Sequence, residues 1–271
     1  MRQKDSGAIS QGLLIGADPL VTYGSLVPFS SDLNPANQPV RTLLPIRFRD
    51  IALFLLGSSF MACFIALLTG LLVYAFTNSK FVVGAIAGIS FYATFLVGYL
   101  WTSQDWGWTA LRTRFSPVGR KPLFLSALVA VAVLAYTVVL VLLLKWGGVK
   151  FADVPSPIEL DSWTQLPLAL VFIAVFAPFA EELLFRGLLL DWLRQKMNVW
   201  LAAVILSVIF SLLHANPFSL GAVGWLAFAG RFLLGMGASA LTIRYHSLRP
   251  AFAMHATWNI IAAFASVLSS G

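Results

Sequence analysis

Two adjacent carboxylates and an arginine lie in a segment that is otherwise apolar for more than a dozen residues: Glu181, Glu182 and Arg186. An ionisable group at the centre of a bilayer costs about 2.5–3.5 kcal/mol on insertion scales, so three of them indicate more than packing. In a helix, Glu182 and Arg186 lie one turn apart and can form an ion pair. Glu181 points about 100° away from its neighbour. The spacing therefore predicts one carboxylate neutralised by arginine and one that is available for chemistry.

Two histidines lie on other apolar segments of the chain. His214 ends one such segment, and His255 precedes Asn259 by one helical turn, so the latter two share a helix face. Glu181 lies 17 residues before Asn198, and His214 lies 16 residues after it. A helical hairpin that turns near Asn198 would place both side chains at the same depth. A simple sixth crossing would instead place His255 near the opposite surface, unless the sixth span is tilted or broken at its glycines or the fourth helix ends early.

A carboxylate and two imidazoles at one depth are suited to hydrolysis. Glu181, assisted by a neutral His214, can take a proton from water. His255 and Asn259 can donate hydrogen bonds to the oxyanion that forms when that water attacks a carbonyl group. No serine or cysteine nucleophile is needed for this chemistry.

The same side chains are also potential zinc ligands. Two histidines and a carboxylate, here His214, His255 and Glu181, are the ligand set of many zinc hydrolases. The arginine that is expected to pair with Glu182 disfavours a further dication nearby, and Asn259 gives His255 a natural task as a neutral hydrogen-bond donor. We therefore predict catalysis without a bound metal, with a zinc site as the alternative.

The composition is that of a membrane protein. Of 271 residues, 59% are hydrophobic and 11% are charged, and the mean hydropathy is +0.85, whereas soluble domains carry about 25% charged residues. We predict an all-α polytopic membrane protein with about seven to eight transmembrane helices and a polar site buried among the last four. The net charge of +7 is attributed to basic residues on the cytoplasmic side, and not to nucleic-acid binding.

The apolar runs predict seven spans and a polar N-terminal tail. Residues 1–50 carry five prolines among scattered polar residues, which indicates a flexible cytoplasmic tail before a transmembrane domain at residues 51–271. Basic residues between the spans place the N-terminus in the cytoplasm. Arg231 lies inside the sixth span with no acid near it in sequence, and its position suggests no role. The spans are 51–77, 81–101, 122–145, about 165–196 with an amphipathic end, 198–214, 219–243 and 250–268.

Three motifs, in order on late membrane helices, resemble a known family: Glu181-Glu182-x-x-x-Arg186, Phe210-x-x-x-His214 and His255-x-x-x-Asn259. They look like the CPBP family, the CAAX-prenyl-protease and bacteriocin-processing intramembrane proteases that are also called the Abi family. The resemblance covers about residues 160–265 and implies that this part is the catalytic core. It also implies a glutamate-type endopeptidase.

The resemblance implies roles for the motif residues and a class of substrate. Glu181 and His214 would activate water, and His255 and Asn259 would stabilise the oxyanion. The second carboxylate and its arginine would be structural partners at the site. The substrate would be a peptide or membrane protein, prenylated or a precursor, that is reached within the lipid bilayer. The short polytopic form favours a bacterial plasma membrane.

Two other functions fit the same residues. Membrane-buried carboxylates and histidines also build proton relays, so a proton-coupled transporter would use Glu181 and His214 beside a water path through both faces. A non-catalytic membrane scaffold or immunity protein would tolerate replacement of Glu181 while still needing the fold. Loss of peptide cleavage on replacing Glu181 separates the protease from both.

Overall fold

The computed structural model describes residues 48–77, 79–102, 107–149, 160, 162–215, 217–218 and 221–270. All the regular secondary structure in these residues is helical. Apart from its last three residues, the tail predicted at 1–50 lies outside the described part, so its boundary with the transmembrane domain stays a prediction.

The described residues form eight helices. Six of them, α1, α2, α4, α5, α7 and α8, are long and apolar enough to cross a membrane, and α6 is a shorter apolar helix of 16 residues. These seven helices correspond to the seven predicted spans, which confirms an all-α integral membrane protein. The helices are α1 (Ile51–Tyr74), α2 (Lys80–Thr102), α3 (Gly107–Arg114), α4 (Arg120–Trp146), α5 (Trp163–Leu193), α6 (Val199–His214), α7 (Ala222–Tyr245) and α8 (Arg249–Ser270).

Helix α5 is the central helix of the bundle. In its most apolar stretch 56% of the residues are buried, whereas the figure for α4 is 6%. Small buried residues such as Ala174, Ala177 and Ala180 allow neighbouring helices to approach α5. The contacts of α5 with α2 on one side and α8 on the other follow from this central position.

The winding of α5 changes around the two carboxylates. An α-helical turn, Ala177–Glu182, lies between two π-helical segments, Val171–Phe176 and Leu183–Leu189. Pro178 lies at the start of this turn and lacks a backbone N–H, so one of the regular α-helical hydrogen bonds cannot form there. Such π-helical segments are frequent at functional sites.

An apolar core lies beside the polar site. It joins side chains of α5, α6, α7 and α8, among them Phe185, Leu206, Phe210, Leu234 and Met254. Close packing of these side chains holds the four helices together through van der Waals contacts, since lipid tails are as apolar as the side chains that they would otherwise touch. The last four predicted spans therefore meet, as the sequence indicated.

The turn between α7 and α8 sets the depth at which α8 begins. Leu248 in this turn packs with Leu183 and Leu188 of α5, and its N–H donates to the carbonyl oxygen of Arg114 at 2.7 Å. Helix α8 therefore starts beside the C-terminal half of α5. His255 lies seven residues after Leu248, about 10 Å along the helix axis, and so reaches the level of the two carboxylates.

One explanation offered from the sequence for the depth of His255, a break in the sixth span, does not hold, because α7 runs unbroken through its glycines. Helix α5 ends at Leu193, close to the predicted end at about residue 196. The physical reason lies in the turn described above and in the length of α6. A helix of 16 residues spans about 24 Å, less than the hydrocarbon thickness of about 30 Å. His214 at its end therefore lies short of the opposite surface.

Candidate active site

The predicted ion pair between Glu182 and Arg186 is confirmed. Arg186 Nη1 lies 3.1 Å from Glu182 Oε1, and both side chains are 1% exposed. Arg186 Nη2 also donates to the carbonyl oxygen of Gly235 on α7 at 3.0 Å. A Cβ atom at Gly235 would lie 3.2 Å from that nitrogen, so glycine permits the close approach. The Phe210 ring lies 5.0 Å from the guanidinium, which leaves Arg186 held by three helices.

The predicted meeting of Glu181 and His214 is confirmed as well. His214 Nε2 lies 3.4 Å from Glu181 Oε2. His214 Nδ1 lies 2.7 Å from the carbonyl oxygen of Phe210, and because a carbonyl only accepts, Nδ1 carries the hydrogen. In the neutral ring, the Nε2 lone pair is therefore the one that faces Glu181. In this tautomer, His214 can accept a proton at Nε2, on the side of the ring that faces Glu181.

Tyr92 on α2 is a site residue that the sequence did not reveal. Its hydroxyl donates to Glu181 Oε1 at 2.6 Å, which leaves Oε2 to face the histidines. A tyrosine hydroxyl within a span needs a hydrogen-bond partner, and this was the available signal. The same signal applies to Tyr99 in the same span, and only the packing of α2 against α5 selects Tyr92.

His255 lies between the two carboxylates. Its Nδ1 is 2.9 Å from Glu182 Oε1, and its Nε2 is 3.8 Å from Glu181 Oε2. A carboxylate that pairs with an arginine only accepts hydrogen bonds, so Nδ1 carries the hydrogen. The neutral ring therefore presents an acceptor at Nε2, and donation from Nε2 requires a second proton on the ring.

Asn259 lies one turn beyond His255 but contacts a different group. Its Nδ2 donates to the carbonyl oxygen of Ile173 at 2.6 Å, and Ile173 belongs to the first π-helical segment of α5. Asn259 thus joins α8 to the irregular part of α5. An amide nitrogen has two hydrogens, so the second can serve another acceptor. The role of Asn259 at the oxyanion stays a prediction.

A zinc site is the alternative that the sequence predicts for Glu181, His214 and His255. Within the described ranges, no group of three or more His, Cys, Asp and Glu side chains is arranged to hold a metal ion. Catalysis without a metal stays a prediction.

The exposure of the three central side chains changes across the site. The side chain of His214 is 30% exposed, that of Glu181 is 11% exposed and that of His255 is 5% exposed. The site is therefore open on the His214 side and closed on the side of α8.

Comparison with known proteins places this site within a recognised segment. Residues 163–261 match the family model described as Type II CAAX prenyl endopeptidase Rce1-like. The C-terminal segment is similar to Rce1-like endopeptidases. This match confirms the resemblance to CAAX-type proteases that the three motifs indicated. The Rce1-like segment, residues 163–261, includes all seven motif residues, whereas Tyr92 lies outside it.

A curated relative supports the same assignment over a shorter stretch. The chain is 35% identical over 57 residues to the candidate membrane peptidase YdiL of Bacillus subtilis (strain 168). The aligned stretch spans 21% of this chain and 23% of YdiL. No solved structure matches the chain.

Proposed function

We propose that the protein is an intramembrane endopeptidase of the CPBP type that hydrolyses a peptide bond of a membrane-associated substrate. The observation that carries the proposal is the approach of His214 Nε2 and His255 Nε2 to the same oxygen of Glu181, at 3.4 and 3.8 Å. This arrangement lies in the Rce1-like segment and among membrane-spanning helices. The substrate class is a prenylated or precursor peptide, or a membrane protein.

The first step is activation of water by Glu181 and His214. A water that contacts both Glu181 Oε2 and His214 Nε2 transfers a proton to this pair as its oxygen attacks the carbonyl carbon of the substrate. The hydrogen bond from Tyr92 to Oε1 fixes the carboxylate so that Oε2 is the atom presented to the water. A general base must lie within hydrogen-bond reach of the proton that it removes, and its pKa affects the rate only when this condition is met.

The second step is stabilisation and collapse of the tetrahedral intermediate. The second amide hydrogen of Asn259, and Nε2 of a doubly protonated His255, donate to the oxyanion. The C–N bond then breaks, and the proton taken from water passes to the leaving amine. The products are one carboxylate and one amine, which balances the hydrolysis without a covalent enzyme intermediate.

The basic residues support an orientation of the protein in the membrane. Arg194, Arg244 and Arg249 lie at the same end of the bundle as the N-terminus of α6, and we assign this end to the cytoplasm. The open side of the site, at His214, then faces the extracytoplasmic half of the membrane. We place the protein in a bacterial plasma membrane with its N-terminus in the cytoplasm.

Purified wild-type protein in detergent tests the proposed activity. We expect it to cleave at least one peptide from a panel of prenylated C-terminal peptides, their unprenylated counterparts and precursor peptides with small-residue sites. Mass spectrometry would identify the cleaved bond. A folded preparation that leaves the whole panel uncut would contradict the proposal.

The same assay decides whether a metal takes part. We expect cleavage to persist after strong chelation, because Glu181 and His214 can activate water without a Lewis acid. Metal analysis of the purified protein accompanies the assay. Stoichiometric zinc whose removal abolishes cleavage, and whose return restores it, would make His214 and His255 ligands and refute the metal-free reaction.

Substitution of Tyr92 by phenylalanine tests the positioning of the base. We expect kcat to fall by about 10- to 100-fold with little change in KM, since a hydrogen bond to a charged group contributes about 1.5–3 kcal/mol. The matched control is Tyr136→Phe, at a tyrosine of α4 that is 52% exposed, which should keep full activity. Equal kcat values for Tyr92→Phe and wild type would show that the phenol does not position the base.

A further inference from the structure

Arg231 is a positively charged residue on a membrane-spanning helix. Neither the sequence nor the candidate active site explains its role. It lies on α7, nine residues after Ala222, which is about 13 Å from the start of the helix. Its side chain is partly buried, and its guanidinium lies 5.7 Å from the ring of Trp258. A charge at this depth is costly, and a cation–π contact offsets only part of that cost.

Arg231 lies next to the candidate active site on two helices. On α8, Trp258 follows His255 by three residues, so both side chains lie on the same face of that helix. On α7, Arg231 precedes by one turn the glycine whose carbonyl oxygen accepts from Arg186. Arg231 also interacts electrostatically with both ionisable groups of the base, Glu181 and His214.

Arg186 and Arg231 differ in whether a carboxylate forms an ion pair with the guanidinium. Arg186 is paired with the buried Glu182 at 3.1 Å. For Arg231, by contrast, no carboxylate in the described part of the chain forms an ion pair or hydrogen bond with the guanidinium. The site therefore has one cation that a buried carboxylate pairs with, and a second cation that makes no ion pair with a described carboxylate.

We propose that Arg231 binds a carboxylate of the substrate peptide, and so selects peptides that carry an anionic group near the scissile bond. This inference rests on the proposed function and adds the substrate feature that the site recognises. A guanidinium presents paired N–H groups that match the two oxygens of a carboxylate. The cation–π contact with Trp258 at 5.7 Å helps to hold the guanidinium in position. The carboxylate is either the C-terminus of the peptide or an acidic side chain.

Three peptides of one sequence distinguish these sources. The first has a free C-terminal carboxylate, the second a C-terminal amide, and the third a C-terminal amide with aspartate as its last residue. We expect the wild type to bind the free acid with a KM lower than that of the plain amide, by on the order of 10- to 100-fold, as for other hydrogen bonds to charged groups. Tight binding of the aspartate peptide alone would support a side-chain carboxylate as the ligand.

Variants of Arg231 assign the preference to this side chain. Arg231→Gln should raise the KM of the preferred peptide until it matches that of the plain amide, and Arg231→Lys should keep part of the preference because it keeps the charge. The matched control is Arg244→Gln, at an exposed arginine of the same helix, which should keep the full preference. If Arg231→Gln does not fold, the lysine variant carries the comparison.

Several outcomes would overturn the inference. Equal KM values of the wild type for all three peptides would do so, as would a preference that survives in Arg231→Gln. A fall in kcat by the same factor for every peptide would assign Arg231 an electrostatic effect on Glu181 and no part in binding.

Direct binding separates failure of this inference from failure of the proposed function. The dissociation constants of the three peptides are measured with Glu181→Gln protein, which needs no turnover. A carboxylate preference in binding, with no cleavage by the wild type, would retain the Arg231 site and reject the protease. No preference in binding would reject the Arg231 site whether or not cleavage occurs.

Discussion

Replacing Glu181 by glutamine is expected to lower kcat/KM for peptide cleavage by about 10²- to 10⁴-fold, because the variant keeps the shape of the side chain and loses the general base. His214→Ala should cause a loss of similar size, since the ring at 3.4 Å from Glu181 Oε2 is the partner of that base. Both variants should keep the melting temperature of the wild type in detergent. Cleavage of a panel peptide, followed by mass spectrometry, provides the measurement.

The control for the histidine substitution is His246→Asn. His246 lies in the turn between α7 and α8 with an exposed side chain and a φ of 50°, a conformation that asparagine tolerates. This variant should keep full activity. Full activity in Glu181→Gln or in His214→Ala would remove the assigned base from the mechanism.

The second large effect concerns stability. Glu182→Ala or Arg186→Ala should lower the free energy of unfolding by about 3–5 kcal/mol, because each leaves a buried partner charge uncompensated. Activity should fall as well, since Glu182 accepts the hydrogen bond of His255 Nδ1 at 2.9 Å. Reversible unfolding in mixed detergent micelles measures the first effect, and the peptide assay measures the second.

A double-mutant cycle tests whether the pair acts as a unit. The variant that carries both Glu182→Ala and Arg186→Ala should be destabilised by clearly less than the sum of the single changes, because neither charge is then left alone. Arg244→Ala, at an exposed position of α7, should change stability by no more than about 0.5 kcal/mol. Single variants that unfold like the wild type would refute the structural role of the pair.

The spans and the central pairs of the site could be predicted from the sequence. Apolar runs of about 20 residues require a membrane, and the period of the helix places Glu182 and Arg186 on one face. Equal arm lengths on either side of Asn198 placed Glu181 opposite His214. The Asn198 side chain accepts a hydrogen bond from the N–H of Trp200 at 2.9 Å. This cap begins α6 at the position that equal arm lengths require.

Interactions between distant helices could not be predicted in the same way. Tyr92 reaches Glu181 across 89 residues of chain, and spacing along one helix contains no information about which face of α2 meets α5. The depth of His255 depends on Leu248, whose burial against α5 fixes where α8 begins. A count of crossings treats every span as a full transit of the bilayer, and the short α6 violates that assumption.

Asn259 makes a contact that its position in the sequence does not predict. Its spacing from His255 correctly predicted a common helix, yet its amide nitrogen donates to the Ile173 carbonyl oxygen. That acceptor lies in a π-helical segment of α5, where the regular backbone hydrogen bonding is altered. A proline such as Pro178 indicates a distorted helix, but it does not define the segment over which the distortion extends.

The central claim, that this membrane protein cleaves peptide bonds through Glu181, is tested most directly in cells. Membranes from cells that carry the wild type are compared with membranes from cells that carry Glu181→Gln at equal protein levels, and fragment termini are identified by mass spectrometry. The proposed function predicts fragments of one or more membrane-associated proteins that appear with the wild type and are absent with Glu181→Gln. Identical fragment sets in the two membranes would contradict it.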